Sequence, residues 1–145
     1  MKVVTKVAHT FDVTATWESE GDLGVAIAAH KPPLLFGPAP AFGGSEDAWS
    51  PEHLLCASIA SCYTNTFEYF AKLLNVEIDK FRLDCRAEFE KRDIGFEATR
   101  FILRPEVTFL HEPGEELRAN LFNKAKKYCF ISNSVKAEVI VEIAA

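Results

Sequence analysis

The chain has 145 residues, of which 48% are hydrophobic and 12% aromatic. This length allows a single domain, residues 1–145, with a hydrophobic core, and is too short for two ordinary domains. The formal net charge is −5, and no cluster of Lys or Arg provides the basic surface of a nucleic-acid-binding protein. No apolar run reaches the roughly 18 residues of a membrane span and no signal-peptide pattern opens the chain, so we expect a cytoplasmic protein without nucleic-acid or membrane partners.

The N-terminal region is predicted to form a β-hairpin. Residues 3–17 include an alternating, β-rich run over 11–17, and a second run over 23–28 follows the turn-forming residues 20–22. Residues 31–50 then hold four of the seven prolines and three of the seven glycines. We predict a loop there, and loops of this length inside compact domains are often functional.

A long helix is predicted from residue 51 to about residue 75. Ser50 suits the N-cap, Pro51 suits the first helical position, and Glu52 complements the positive end of the helix dipole. Apolar or small residues occupy every face, so we expect this helix to be buried on all sides. It would be about 37 Å long, which one small chain surrounds with difficulty, and we therefore expect a homodimer.

The remaining chain alternates strands with one more helix. Two antiparallel strands with one solvent-exposed face are predicted over 81–90 and 96–109, joined by a turn at 93–95. A second helix is predicted from near Pro113 to Tyr128, and a strand over 135–143 closes the sheet. This order of elements is typical of the α+β class.

The four cysteines lie at positions 56, 62, 85 and 129, without CxxC spacing. Their density is too low for a secreted disulfide scaffold, so the thiols are structural, catalytic or metal-bound. We expect no metal and no cofactor, because only His53 and Cys56 lie close together and no second ligand pair accompanies them. Cys62 and Cys129 are predicted to be a redox pair. Cys56, on another face of the helix from Cys62, and Cys85 are interpreted as core or half-buried residues.

Several segments resemble the family of the osmotically inducible protein OsmC and the organic hydroperoxide resistance protein Ohr. They read FGG at 42–44, WSPEHLL at 49–55, ASCY at 60–63, TF at 66–67 and AKKYCFISNS at 125–134. The resemblance implies an α+β, OsmC-like fold with antiparallel sheets around two long central helices in an intertwined homodimer. It also implies a thiol peroxidase that reduces organic hydroperoxides, especially of the fatty-acid type, and is re-reduced by lipoyl groups or other dithiols.

The resemblance assigns roles to three residues of this chain. Cys62 matches the family's peroxidatic cysteine and Cys129 its resolving cysteine. Glu52 matches a glutamate that in the family pairs with an arginine from the N-terminal hairpin. The alternative role of Glu52 is to complement the positive end of the helix dipole. This chain has no arginine before Arg82, and the corresponding turn at residues 18–22 is acidic.

Because this arginine is missing, the sequence does not identify the cation that stands beside the nucleophile. The reactive species is a thiolate, and a free cysteine has a pKa of about 8.5, so Cys62 needs a nearby cation or hydrogen-bond donors. The candidates are Lys31, His30 or a basic residue of the second subunit. Aromatic side chains such as Phe42 and Trp49 are candidates for an apolar wall around a hydroperoxide tail, or else belong to the core. Together with Lys31, they are the predicted substrate-binding residues.

Two functional hypotheses follow. The first is a thiol-dependent peroxidase that reduces organic hydroperoxides through Cys62 and Cys129. The alternative is a non-catalytic OsmC-like dimer, associated with stress or binding a small molecule, that has lost catalysis with the arginine. Without the resemblance, a buried structural thiol is the more common role of a residue such as Cys62.

Overall fold

The computed structural model describes residues 6–144. These residues form two compact units, one that ends at Pro51 and one that begins at Glu52. Among the described residues, no helix combines the length and apolar character needed to span a membrane. Strands and helices are both present, which confirms the predicted α+β class.

The N-terminal unit is a small antiparallel sheet of three strands. These are β1 (Thr14–Thr16), β2 (Gly24–Ile27) and β3 (Leu34–Phe36), hydrogen-bonded in that order. The β1–β2 pair confirms the predicted hairpin, although β1 is much shorter than the predicted strand. Residues 3–5 of that prediction lie outside the described residues.

Strand β3 lies within the segment that the sequence predicts as a loop. It pairs with β2, and Phe36 also forms an isolated parallel bridge with Trp49. A Cβ atom on Gly24 would lie 2.3 Å from the Phe36 ring, so only glycine allows this ring to cover β2. A 3-10 helix, Pro40–Phe42, follows. Three apolar residues between prolines are too few for a strand period to be recognised, which explains why β3 was not predicted.

Helix α1 spans Pro51–Leu73 and begins at the predicted residue. It ends slightly earlier than predicted because Asn75 adopts a left-handed conformation with φ of 57°. The backbone N–H of Val76 donates to the carbonyl of Ala71 at 2.8 Å, and that of Asn75 donates to Lys72 at 3.2 Å. This pair of bonds is the Schellman motif that closes many helices.

The main sheet has the order β4 (Ile78–Lys91), β5 (Phe96–Phe109) and β6 (Glu138–Val141). Strands β4 and β5 form the predicted antiparallel hairpin, whose turn contains Gly95 with φ of 67°. Strand β6 pairs with β5 in parallel. Helix α2 (Glu115–Lys127) lies between them in the chain and provides the crossover that a parallel pair requires.

The core of the C-terminal unit lies between the helices and one face of this sheet. Helix α1 buries one stripe at helical spacing, which contains Ile59, Tyr63, Phe67, Phe70 and Ala71. The Phe67 ring centroid lies 5.0 Å from that of Phe81 on β4 and 5.0 Å from that of Phe122 on α2, so it joins all three elements.

The expectation that α1 is buried on all sides does not hold for a single chain. Tyr69 is 62% exposed and Leu73 is 61% exposed, although both belong to this helix. The reason is that one sheet and one shorter helix cover only one side of α1. Its other side remains exposed and carries the apolar Tyr69 and Leu73 beside the Glu68–Lys72 ion pair.

Candidate active site

Cys62 and Cys129 contact each other in the C-terminal unit. Cys62 lies in the middle of α1 and is half-buried, whereas Cys129 follows α2 and is fully buried. The two thiols share a hydrogen bond. The packing of α2 against α1 thus brings together two thiols that are distant in the chain. Because Cys62 is the more accessible of the two, an external reactant meets it first.

Ser132 is a second hydrogen-bond partner of the Cys129 sulfur. Its hydroxyl donates a hydrogen bond to the Cys129 sulfur with an Oγ–Sγ distance of 3.0 Å, and its backbone N–H donates to the same atom. Burial raises the pKa of Cys129, the two hydrogen bonds from Ser132 lower it, and the nearby Cys62 raises it further. Hydrogen bonds to a charged form stabilise that form, so Ser132 favours the thiolate of Cys129 against the effect of burial.

Ser132 belongs to a segment quoted for the family resemblance, but sequence reasoning assigned it no role. It begins a 3-10 helix, Ser132–Ser134, three residues after Cys129. The three-residue separation from Cys129 is a signal that a local turn can bring the hydroxyl back to the sulfur. Nothing in the sequence shows that the hydroxyl is buried and oriented towards it.

Tyr63 is buried beside the two thiols. Its hydroxyl donates a hydrogen bond to the Phe122 carbonyl at 3.3 Å. Burial and the neighbouring Cys129 raise the pKa of Tyr63. The hydroxyl of Tyr63 thus links α1 to α2 next to Cys129.

Glu52 lies in the first turn of α1, away from the thiols. Ten residues separate it from Cys62, which corresponds to about 15 Å along a continuous helix, so the structure does not bring these side chains together. Its Oε2 atom is buried and has no hydrogen-bond partner among residues 6–144. A buried carboxylate oxygen without a partner is costly, so this orphan atom requires an explanation.

The three predicted substrate-binding residues belong to the N-terminal unit. Lys31 is exposed, and its Nζ donates to the Ala29 carbonyl at 3.4 Å. Phe42 ends the 3-10 helix and is 52% exposed. Trp49, which bridges to Phe36, is 49% exposed. Phe42 and Trp49 are therefore both partly available to a ligand rather than wholly committed to a core.

Cys56 and Cys85 form a second thiol pair, which the sequence reasoning missed. The two thiols share a hydrogen bond. Two sequence signals were present: Cys56 precedes Ile59 and Tyr63 at helical spacing, and Cys85 follows Phe81 and Leu83 at strand spacing. Each signal places a cysteine on an inward face, but neither shows that the two meet.

Comparison with known proteins identifies the fold. The chain matches the family model described as OsmC-like protein over residues 43–144. It is similar to a solved OsmC-like protein of unknown function from Vibrio cholerae, with 22% identity, a TM-score of 0.87, and coverage of 94% of this chain and 100% of the other.

Two further solved structures have names that refer to hydroperoxides. The organic hydroperoxide resistance protein OsmC from Legionella pneumophila shares 19% identity, with a TM-score of 0.77 and coverage of 97% of this chain and 100% of that one. The organic hydroperoxide resistance protein OhrB of Bacillus subtilis shares 23% identity, with a TM-score of 0.66 and coverage of 94% and 98%. At these identities the likeness shows a common fold. No curated protein matches the chain.

The family model covers most of the chain, including both helices, all three strands of the main sheet and all four cysteines. The OsmC-like fold implied by the sequence motifs is confirmed. The chain belongs to the OsmC-like family.

Proposed function

We propose that this protein is a thiol peroxidase that reduces organic hydroperoxides, with Cys62 as the peroxidatic cysteine and Cys129 as the resolving cysteine. The observation that carries the proposal is the direct contact between these two thiols in a chain of the OsmC-like family. The difference in burial supports the assignment of roles, since the half-buried Cys62 is open to a small substrate and the fully buried Cys129 is not.

The first step takes place at Cys62. Its thiolate attacks one oxygen of the hydroperoxide, the O–O bond breaks, and the alkoxide leaves and takes up a proton as the alcohol. Cys62 is oxidised to a sulfenic acid.

The second step joins the two cysteines. The Cys129 thiolate attacks the Cys62 sulfenic sulfur, a disulfide forms, and hydroxide leaves and is protonated to water. Two thiols and one hydroperoxide thus give one disulfide, one alcohol and one water. A dithiol such as a lipoyl group then regenerates both thiols by thiol–disulfide exchange. The hydrogen bonds from Ser132 assist the nucleophile of this second step.

Glu52 is included in the proposal because its buried Oε2 atom has no hydrogen-bond partner among residues 6–144. We assign it an ion pair with a cation from outside the described residues of one chain, which would satisfy Oε2. Because no arginine precedes Arg82, this cation differs from the one that the family resemblance implies. The roles of Lys31, Phe42 and Trp49 at the substrate stay predictions, tested by the Michaelis constants of their alanine variants.

A homodimer and a single-domain organisation are also part of the proposal. The exposed side of α1, which carries the apolar Tyr69 and Leu73 beside the Glu68–Lys72 ion pair, is a surface that a second copy would cover. Analytical ultracentrifugation should then give twice the 16.2 kDa mass of one chain. A monomer at micromolar concentration would contradict the dimer.

Two observations favour a second candidate function. The chain lacks the arginine before residue 82, and Glu52 Oε2 has no hydrogen-bond partner among residues 6–144. An OsmC-like dimer that binds an apolar small molecule without catalysis would retain the fold and dispense with that cation.

The decisive experiment treats the reduced protein with one equivalent of cumene hydroperoxide or, in parallel, of hydrogen peroxide. Disulfides are then mapped by peptide mass spectrometry without reduction. We expect a rapid Cys62–Cys129 disulfide that forms faster with the organic substrate. Cys62→Ser should abolish turnover, and Cys129→Ser should accumulate a sulfenic acid that dimedone traps.

Cys85→Ser is the matched control, because it removes a thiol of the same unit that has no part in the proposed reaction. It should retain the rate of the parent protein. If oxidation is slow and Cys62→Ser leaves its rate unchanged, the result would contradict the peroxidase and favour the binding protein.

A further inference from the structure

The Cys56 and Cys85 thiols meet where α1 packs against β4. Cys56 extends the buried stripe of α1 by one turn, three residues before Ile59. Cys85 lies on the inward face of β4, directly opposite the fully buried Leu103 of β5. Both cysteines pack against the core cluster and both are half-buried. The contact is therefore formed by two regular elements rather than by a loop.

The hydrogen bonds at this contact give the two thiols different roles. The Cys56 sulfur shares a hydrogen bond with the Cys85 thiol and accepts another from the backbone N–H of Ala87. Among residues 6–144, no backbone N–H donates to the Cys85 sulfur. Since donors stabilise a thiolate, Cys56 is the better nucleophile of the two.

This pair is separate from the proposed peroxidase pair. Cys56 and Cys62 differ by six residues, or about 600° of helical rotation, so their side chains leave α1 in different directions. Cys62 contacts Cys129, which follows α2 in the chain, whereas Cys56 contacts Cys85 on strand β4 of the sheet. Each sulfur of α1 therefore has its own thiol partner.

We propose that Cys56 and Cys85 form a second dithiol site, which reduces a small-molecule disulfide and closes an intrachain disulfide between α1 and β4. The inference does not depend on the proposed peroxidase, because its oxidant is a disulfide and its two sulfurs take no part in that reaction.

The exchange proceeds in two balanced steps. The Cys56 thiolate attacks one sulfur of the external disulfide, whose S–S bond breaks, and one external thiolate leaves. Cys85 then loses its proton to the solvent and attacks the Cys56 sulfur of the mixed disulfide, and the second external thiolate leaves. The protein thiols are oxidised by two electrons, and one external disulfide is reduced to two thiols.

The surroundings of the pair make this exchange slow at neutral pH. Burial raises the pKa of Cys56, and burial together with the neighbouring Cys56 raises the pKa of Cys85 to about 12. The thiolate fraction of such groups rises about tenfold for each pH unit below the pKa, so the rate should rise by up to about tenfold per unit between pH 7 and pH 9.

The experiment uses the full chain with Cys62→Ser and Cys129→Ser, so that Cys56 and Cys85 are its remaining cysteines. One equivalent of 5,5′-dithiobis(2-nitrobenzoic acid) is added to the folded protein, and the coloured thiolate is counted. We expect two coloured thiolates to be released per chain. The first leaves when Cys56 attacks the reagent, and the second leaves when Cys85 attacks the mixed disulfide and the intrachain disulfide closes. Adding Cys85→Ser as the matched control should stop the reaction at one thiolate, with the reagent bound to Cys56.

Peptide mapping identifies the bond. Trypsin places Cys85 on residues 83–86, apart from the long peptide that holds positions 56 and 62, so a Cys56–Cys85 link appears as one joined mass. Closure should also raise the melting temperature by several degrees, since it joins α1 to β4 across a loop of about 30 residues. A mixed disulfide without closure, or no reaction with the folded protein at pH 9, would overturn the inference.

The wild-type chain provides a second test if the double variant does not fold. Excess reagent should leave no free thiol, and the long peptide should be joined to both 83–86 and 128–136. Joining to 128–136 alone, with 83–86 unmodified, would show that the second site is inert.

Discussion

The Ser132 hydroxyl donates a hydrogen bond to the Cys129 sulfur across 3.0 Å, and both residues are buried. The same sulfur also accepts a hydrogen bond from the backbone N–H of Ser132 and shares one with the Cys62 thiol. Cys129 thus lies between a residue that stabilises its thiolate and the sulfur that it would attack in the proposed reaction. Ser132 is therefore a positioning residue for the second step of the proposed reaction.

Replacing Ser132 by alanine should slow formation of the Cys62–Cys129 disulfide. One of two hydrogen bonds to the Cys129 thiolate is lost, and such a bond to a charged group is worth about 1.5–3 kcal/mol. We expect the conversion of sulfenic acid to disulfide to be about tenfold slower, with its pH profile displaced to higher pH. Stopped-flow measurements with one equivalent of cumene hydroperoxide would follow this step.

Ser132→Thr keeps a hydroxyl and should restore the profile. A purely structural role would lower stability without displacing the pH profile. An unchanged rate and profile in Ser132→Ala would show that the hydroxyl has no part in the second step.

Glu52→Gln tests the proposed ion pair. The amide keeps the size of the side chain and removes the charge that we assign to a cation from outside the described residues. We expect the rate of hydroperoxide reduction to fall by about tenfold or more, which corresponds to about 1.4 kcal/mol, because the ion pair would hold a cation that bridges Glu52 and the Cys62 thiolate. Steady-state kinetics with a dithiol reductant would measure it.

Glu68→Gln is the matched control, since Glu68 lies on the same helix in an exposed ion pair with Lys72. Such pairs contribute little, and its rate should remain that of the parent. Equal rates in all three proteins would remove Glu52 from the reaction and leave it as a residue that complements the helix dipole.

Stability should fall on the alkaline side of neutrality. The folded chain raises the pKa of Cys56, Cys85, Cys129 and Tyr63, each mainly by burial. Above about pH 8.5 the unfolded thiols lose protons that the folded ones keep, so the unfolded state binds fewer protons and the free energy of unfolding decreases with pH. This contribution is complete below that pH and is lost as the pH rises towards about 12 for Cys85.

Urea denaturation of the reduced protein from pH 7 to pH 10.5 would measure this decline. Cys85→Ser removes the thiol with a pKa of about 12, so the decline should be shallower in that variant. A free energy of unfolding that stays constant up to pH 10.5 would contradict the prediction.

The end of α1 offers a test of the fold itself. Asn75 has a φ of 57°, which favours glycine and tolerates asparagine. Asn75→Ala should lower the free energy of unfolding by about 1 kcal/mol, whereas Asn75→Gly should change it by no more than a few tenths. Urea denaturation would measure both, and equal effects of the two substitutions would contradict the Schellman end of the helix.

Much of the secondary structure could be predicted because it depends on local signals. The start of α1 at Pro51 and the two strands on either side of Gly95 were found where helix-start and strand-period signals place them. Strand β3 was missed because three apolar residues between prolines carry no measurable period. The parallel pairing of β6 with β5 was also beyond local signals, because it depends on where α2 returns the chain.

The candidate site was predicted in a similar, partial way. The motifs around Cys62 and Cys129 selected these two cysteines, and they are in contact. The roles of Ser132 and Tyr63 were not predicted, because the direction of a hydroxyl depends on the side chains packed around it.

The sequence by itself determined the α+β class, the start of α1, the long hairpin and the family, since each rests on periodicity, end signals or motifs along the chain. Only the tertiary structure decided that four separate cysteines form two pairs, Cys62 with Cys129 and Cys56 with Cys85. The physical reason is that helical and strand periods determine which face a thiol occupies, whereas its partner depends on how α1 packs between α2 and the sheet.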